Sequence, residues 1–236
     1  MYYGWRAKVG LIHPATGIAP SYDFHRYLPE GVAICEQRIL FEEVSPEGLK
    51  AMGDRVEEAA KMLSWTDPDI LVFCCTTGSL IGGKGYDQEL IRRMEDASGT
   101  KAITTSTAVL QALHALNSQK LVVSTPYSDI VNDYEKKFLE DNGFEVLKIK
   151  GLNLTNPRDM PRTTINTMYH LNKEVMHPDA DTLFVSCTGL GIVDGVPMFE
   201  RDSKLKLVNS MQATIWATYR AIGIQDEFDL GQLFKL

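Results

Sequence analysis

No stretch of 18 consecutive apolar residues occurs anywhere in the 236-residue sequence, so nothing reads as a bilayer-spanning helix. The start, Met1 to Pro14, lacks the long apolar core and small-residue cleavage site of a secretory signal. There is no basic stripe. Residues 1–112 carry 11 basic and 15 acidic side chains, net −4, and the rest carry 13 and 16, net −3. That even, acidic balance argues against a nucleic-acid partner and against an anionic membrane surface. Cysteine is scarce. The four present, Cys35, Cys74, Cys75 and Cys187, show no C-x-x-C spacing, so neither a disulfide framework nor a zinc knuckle is indicated, and no metal is expected. Reduced thiols in a cytoplasmic protein are the reading. What is present, 44 % hydrophobic and 23 % charged residues, is ordinary for a chain that folds around a core.

Short β-rich runs alternate with helical patterns. Strands are expected at 8–13, 32–41, 70–74 and 102–104, then at 121–124, 144–148, 183–186 and 205–208. Between them, Leu49, Met52, Val56, Ala60 and Leu63 recur at helical spacing behind a Ser45-Pro46-Glu47 cap. Further helices are expected near 87–97, 107–116, 129–142, 161–176, 197–202 and 211–222. Strands alternating with helices predict an α/β fold with parallel sheets.

A weak internal repeat at an offset of 112 organises this rhythm. Lys8 and Pro14 match Lys120 and Pro126; Asp67, Asp69 and Leu71 match Asp179, Asp181 and Leu183; Cys75 and Thr76 match Cys187 and Thr188. Both halves therefore read D-x-D-x-L-x-x-x-C-T, with an apolar strand delivering a Cys-Thr pair at its end. The expected organisation is two similar α/β halves about a pseudo-twofold axis. They comprise 1–112 and 113–224, with a tail at 225–236 and a C-terminal segment free to cross over to the first half. Open α/β sheets bind ligands beyond the carboxyl ends of their strands, which places Cys75 and Cys187 on opposite sides of one cleft.

Each of these thiols precedes small and hydroxylated residues whose backbone N–H groups can hold an anion. Two facing thiols can pass a proton across one carbon, which is racemisation. One thiolate can instead add to a C=C bond, allow rotation and leave, which is cis–trans isomerisation. One thiol alone can protonate the enediolate left by decarboxylation. All three stay open, as does a small-carboxylate binding protein without turnover. Cys74 should point to the other face of its strand. Pro14 and His13 occupy the first-half position that matches Pro126, and His13 is a candidate for a cleft role. The Tyr127 hydroxyl stands where it can reach a carboxylate. Asn156, before a helix, is either an N-cap or a substrate donor. The Gly78-x-x-x-x-Gly83-Lys84 run lacks the Ser or Thr of a P-loop, and the glycines at 189, 191 and 195 lack dinucleotide spacing; both shape turns around the cysteines.

The segments Gly10-Leu-Ile-His-Pro-Ala-Thr-Gly-Ile-Ala-Pro20, Val44-Ser-Pro-Glu-Gly48, Thr105-Ser-Thr-Ala-Val-Leu110, Thr125-Pro-Tyr-Ser-Asp-Ile-Val-Asn132 and Ser186-Cys-Thr-Gly-Leu190 carry a resemblance that covers nearly the whole chain. The sequence resembles the aspartate/glutamate racemase superfamily, in its arylmalonate decarboxylase and maleate cis–trans isomerase branch. The resemblance implies two similar α/β domains around a central cleft and no cofactor. It implies catalysis by Cys75 and Cys187 on a small carboxylate held by Thr76, Thr77, Tyr127, Thr188 and Gly189. It implies an apolar pocket at Phe41, Val44, Leu49 and Met160, and a substrate-binding role for Asn156. Decarboxylases of this branch have glycine where this chain has Cys75. The isomerases carry an asparagine in the first loop, where this chain has His13-Pro-Ala-Thr-Gly17. The resulting expectation is a cofactor-independent racemase or cis–trans isomerase of a small carboxylate or dicarboxylate. The alternatives are a decarboxylase that uses Cys187 alone and a non-catalytic carboxylate binder. A homo-oligomer is compatible with the sequence.

Overall fold

The computed structural model describes residues 1–236. Eight strands fall into two four-stranded, all-parallel sheets. The first contains β1 (Ala7–Pro14), β2 (Val32–Ile39), β3 (Ile70–Phe73) and β4 (Ala102–Thr104), in the order β2-β1-β3-β4. The second contains β5 (Lys120–Thr125), β6 (Glu145–Gly151), β7 (Thr182–Val185) and β8 (Lys206–Asn209), in the matching order β6-β5-β7-β8. Strands β3 (Ile70–Phe73) and β7 (Thr182–Val185) are buried at every position, because helices cover both faces of each sheet. The repeated aspartates explain the register. Asp69 accepts the Lys8 N–H at 2.7 Å and Asp181 accepts the Lys120 N–H at 2.9 Å, so each closes the exposed start of its neighbouring strand.

The helices of the first half are α1 (Ala19–Arg26), α2 (Pro46–Gly53), α3 (Val56–Ser64), α4 (Thr76–Leu80), α5 (Tyr86–Ser98) and α6 (Thr105–Ala115). Those of the second are α7 (Asp129–Asp141), α8 (Ile165–Val175), α9 (Val196–Ser203) and α10 (Ser210–Ala221). The single helical pattern read from Leu49 to Leu63 is two helices, broken at Asp54 and Arg55. The pattern read over 161–176 begins instead with a 3₁₀ turn at Pro157–Arg162 before α8. Pro161 inside that turn lacks the N–H that a continuous helix needs. α1 and α4 have no counterpart among the expected helices; Pro20 and Ser21 in the one and Thr-Thr-Gly-Ser in the other hide them.

The halves interlock along α6 and α10. Val109, Ala112 and Leu113 of α6 join Leu121, Val123 and Phe184 of the second sheet in one apolar cluster. Residue 112 therefore lies inside a helix that belongs to both halves. The C-terminal segment crosses back: Tyr219 packs edge-on against Phe24 with ring centroids 6.5 Å apart, its hydroxyl donates to the Tyr27 carbonyl at 3.1 Å, and Arg6 pairs with Asp226. Within 225–236, Leu230, Leu233 and Phe234 are buried.

Candidate active site

Six strand ends meet where the halves join, and their loops enclose a pocket of about 450 Å³, open mouth included. Pro14, Thr16, Gly17 and Pro20 come from the β1–α1 loop, and Phe41 and Val44 from the segment after β2. Cys75, Thr76 and Thr77 follow β3; Tyr127 follows β5; Pro157, Met160 and Pro161 follow β6. Cys187, Thr188 and Gly189 follow β7. None of these lining side chains carries a formal charge. The lining combines the hydroxyls of Thr16, Thr76, Thr77, Tyr127 and Thr188 with the apolar side chains of Phe41, Val44 and Met160.

The two thiols sit differently. Cys75 is extended (φ −152°, ψ 116°) and stands at the N-cap position of α4, where the nearby Gly78 N–H favours its thiolate. Cys187 has φ +94°, a left-handed backbone that an L-residue adopts only under constraint. That constraint is visible: the Cys187 N–H donates to Ser210 Oγ at 3.0 Å, and the Gly189 N–H turns back to donate to Cys187 Sγ at 3.2 Å. Both sulfur-bearing residues are 7 % exposed, so each keeps a route to the pocket. A bond from Thr188 Oγ1 to the Cys74 carbonyl, 3.3 Å, ties the two cysteine loops together.

Burial pushes the Cys75 thiol up to about 12 and the Cys187 thiol up to about 11. Against this, the Tyr127 hydroxyl and the Gly189 and Leu190 N–H groups favour a Cys187 thiolate, which is why Cys187 is the more acidic of the pair. Charge on Cys187 raises Cys75 further. The Tyr127 hydroxyl is itself pushed well above the ordinary tyrosine range, first by burial and then by the neighbouring Cys187 and Glu135 charges. Thr76 Oγ1 is buried without a hydrogen-bond partner. A buried hydroxyl without a protein partner is free to bond an oxygen of a ligand.

The structure gathers eleven of the fourteen residues singled out in the sequence: Cys75, Cys187, Thr76, Thr77, Tyr127 and Thr188, with Gly189, Pro14, Phe41, Val44 and Met160. Three lie elsewhere. Leu49 is fully buried in α2. His13 is fully buried behind the lining, with Nδ1 3.1 Å from the Pro14 carbonyl and Nε2 3.4 Å from Glu36, so it braces the first loop from outside the cleft. Asn156 is exposed and caps the 3₁₀ turn, its Oδ1 accepting the Arg158 N–H at 3.0 Å. Cys74 is fully buried, and burial pushes its thiol far up. Thr16, Gly17, Pro20, Pro157 and Pro161 line the pocket without having been singled out. No group of three or more His, Cys, Asp or Glu side chains is placed to hold a metal ion, and no helix is long and apolar enough to cross a membrane.

Comparison with known proteins follows the same lines. Residues 9–234 match the family model for arylmalonate decarboxylase. The arylmalonate decarboxylase of Bordetella bronchiseptica is 28 % identical over 215 residues, covering 90 % of this chain and 89 % of that protein. A liganded double variant of arylmalonate decarboxylase, with cysteine in place of a glycine and serine in place of a cysteine, superimposes with a TM-score of 0.91 at 28 % identity, over 97 % of this chain and 98 % of that one. A cysteine-to-alanine variant of the maleate isomerase from Pseudomonas putida S16 with maleate also gives 0.91, at 19 % identity over 97 % of each chain. At that identity the likeness concerns the fold.

Proposed function

The chain belongs to the arylmalonate decarboxylase family, and within it we propose an isomerase that moves the α-proton of a small carboxylate bearing an apolar substituent. The observation that carries this reading is a pair of thiols lining one uncharged pocket together with threonine and tyrosine hydroxyls and the apolar side chains of Phe41, Val44 and Met160. The hydroxyls of Thr76, Thr77 and Thr188 and the Gly189 backbone hold the substrate carboxylate. The apolar substituent lies against those apolar side chains. The uncharged lining gives a second carboxylate no counter-charge there, which favours a monocarboxylate over maleate.

The pair ionises one proton at a time, because charge on one sulfur opposes charge on the other. The Tyr127 hydroxyl and the Gly189 and Leu190 N–H groups favour the thiolate at Cys187, so Cys187 carries the charge while Cys75 stays protonated. That singly ionised state is what two-base racemisation requires. The Cys187 thiolate takes the α-proton and becomes a thiol. The electron pair passes into an enediolate held by the hydroxyls and N–H groups. The Cys75 thiol returns a proton to the opposite face and becomes the thiolate. The reverse turnover restores the first state.

Incubation of the protein with 2-aryl and 2-alkyl propionates in D₂O, followed by NMR and chiral chromatography, tests this. Deuterium uptake at the α-carbon with loss of optical purity is expected. Cys75→Ala and Cys187→Ala should each slow racemisation on the order of a hundredfold or more. Full turnover by Cys75→Ala sinks the two-thiol mechanism. One observation favours a second reading: both thiols rest protonated, which suits a proton donor. On that reading a disubstituted malonate loses CO₂ from the carboxylate pressed against the apolar wall, and the Cys187 thiol protonates the enediolate. CO₂ release that survives Cys75→Ala selects it.

A further inference from the structure

Outside the pocket lining, one pair of buried carboxyls repeats the symmetry of the thiols. Glu135 on α7 follows Asp23 on α1 by 112 positions, the offset that relates Cys187 to Cys75. Both carboxyls are buried, at 0 % and 4 % exposure, and each ends in one oxygen without a partner, Glu135 Oε2 and Asp23 Oδ2. Their surroundings differ. Asp23 lies near the charges of Asp194 and Arg26. Glu135 accepts a hydrogen bond from Ser186 Oγ at 2.6 Å, and Ser186 is the residue before Cys187.

Little else charged faces Glu135. α4, which packs on α7, contains no titratable side chain. On β6, which also packs on α7, Lys148 and Lys150 turn to Glu174 of α8, and Glu145 turns to Lys120. The ionisable groups that respond to Glu135 are Cys187 and Tyr127, both of which its charge raises; Cys75 does not respond to it.

We propose that Glu135 is a positioning residue for Cys187: neutral, it anchors Ser186 beneath the strained turn and leaves the thiol free to ionise; charged, it opposes the thiolate. The inference rests on the reading of Cys187 as a working thiol. Burial pushes the Glu135 carboxyl up to about 7, so the change of state falls in the ordinary assay range. The sign is fixed. Below that pH Glu135 is uncharged and Cys187 has its lower pKa; above it the carboxylate raises the Cys187 pKa and slows thiolate formation.

Alkylation of the full-length protein by iodoacetamide, resolved by site with mass spectrometry from about pH 5.5 to about pH 9.5, tests this without substrate. In the wild type, the logarithm of the Cys187 rate should climb with pH, flatten near neutrality and climb again, while the Cys75 rate climbs without a break. Glu135→Gln keeps an acceptor for Ser186 and removes the charge. Its Cys187 rate should match the wild type at the acid end and exceed it by about three- to tenfold at the alkaline end. An unbroken wild-type Cys187 profile overturns the proposal whether or not the variant folds, and so do equal alkaline rates in the two proteins. Failure of the isomerase reading would appear separately, in the D₂O incubation.

Discussion

Thr76 ends in a buried hydroxyl with no hydrogen-bond partner among the protein groups. An unsatisfied buried polar group costs about 1–3 kcal/mol, so a hydroxyl with no protein partner adds little to stability and is free to bond a substrate oxygen. Thr76→Val should therefore leave urea stability unchanged or raise it by about 1 kcal/mol, while kcat/KM on the carboxylate substrate falls about tenfold or more. A variant that loses stability and keeps kcat/KM would assign Thr76 to the core instead. At this scale the sequence shows the thiols and their hydroxylated neighbours, because the repeat puts Cys75-Thr76 and Cys187-Thr188 at equivalent strand ends. It does not show the left-handed backbone of Cys187, which depends on Ser210 from 23 residues away. Nor does it separate the N-cap reading of Asn156 from the donor reading, since both use the same side chain. Leu49 and His13 fall one layer outside the pocket, and layering is set by packing across elements rather than by local pattern. Glu135 gave no local signal either, because an acidic residue on an amphipathic helix is ordinarily at the surface.

Among the elements, β6 shows how a backbone can aim a distant side chain. Its last residue, Gly151, passes so close to the β5–α7 loop that a Cβ there would lie 1.9 Å from the Tyr127 carbonyl and 2.8 Å from Asn132 Nδ2. The next N–H groups, of Leu152, Asn153 and Leu154, donate to the carbonyls of Thr125, Tyr127 and Pro126. Gly151→Ala should cost about 1–3 kcal/mol in chemical denaturation and displace Tyr127, so the thiolate of Cys187 loses a donor. Unaltered stability together with an unaltered Cys187 alkylation profile would contradict this account. Strands were the most legible elements, since a sheet buried on both faces demands unbroken apolar runs such as Ile70–Phe73. The short α4 was not, because Thr76–Leu80 has weak helix formers and is held by tertiary bonds, notably Ser79 Oγ to Ser106 Oγ at 2.7 Å.

For the molecule as a whole, the join between the halves is also the site, and the C-terminal segment helps to close it. Leu233 packs into the cluster that contains α6, whereas Leu230 and Phe234 belong to the larger cluster that spans both sheets. Burying three such side chains contributes about 5–9 kcal/mol, comparable to the entire stability of a typical domain. A chain ending at residue 224 should lose its cooperative thermal transition by circular dichroism, and an unchanged melting temperature would show that the segment is dispensable. The sequence announced the doubled architecture through Asp69/Asp181 and Cys75/Cys187. It did not announce the exchange of α6 and α10 across the join, since their apolar faces read alike whichever sheet they cover.

The doubling also left its two sulfur positions unequally replaceable. At 75 the main chain is extended, a conformation open to every L-amino acid but proline, so that thiol can be exchanged for a small residue without disturbing the turn that presents it. At 187 the main chain is left-handed, where glycine is at ease and β-branched residues are not. Sequence drift that trades one chemistry for another therefore meets less resistance at the first position than at the second.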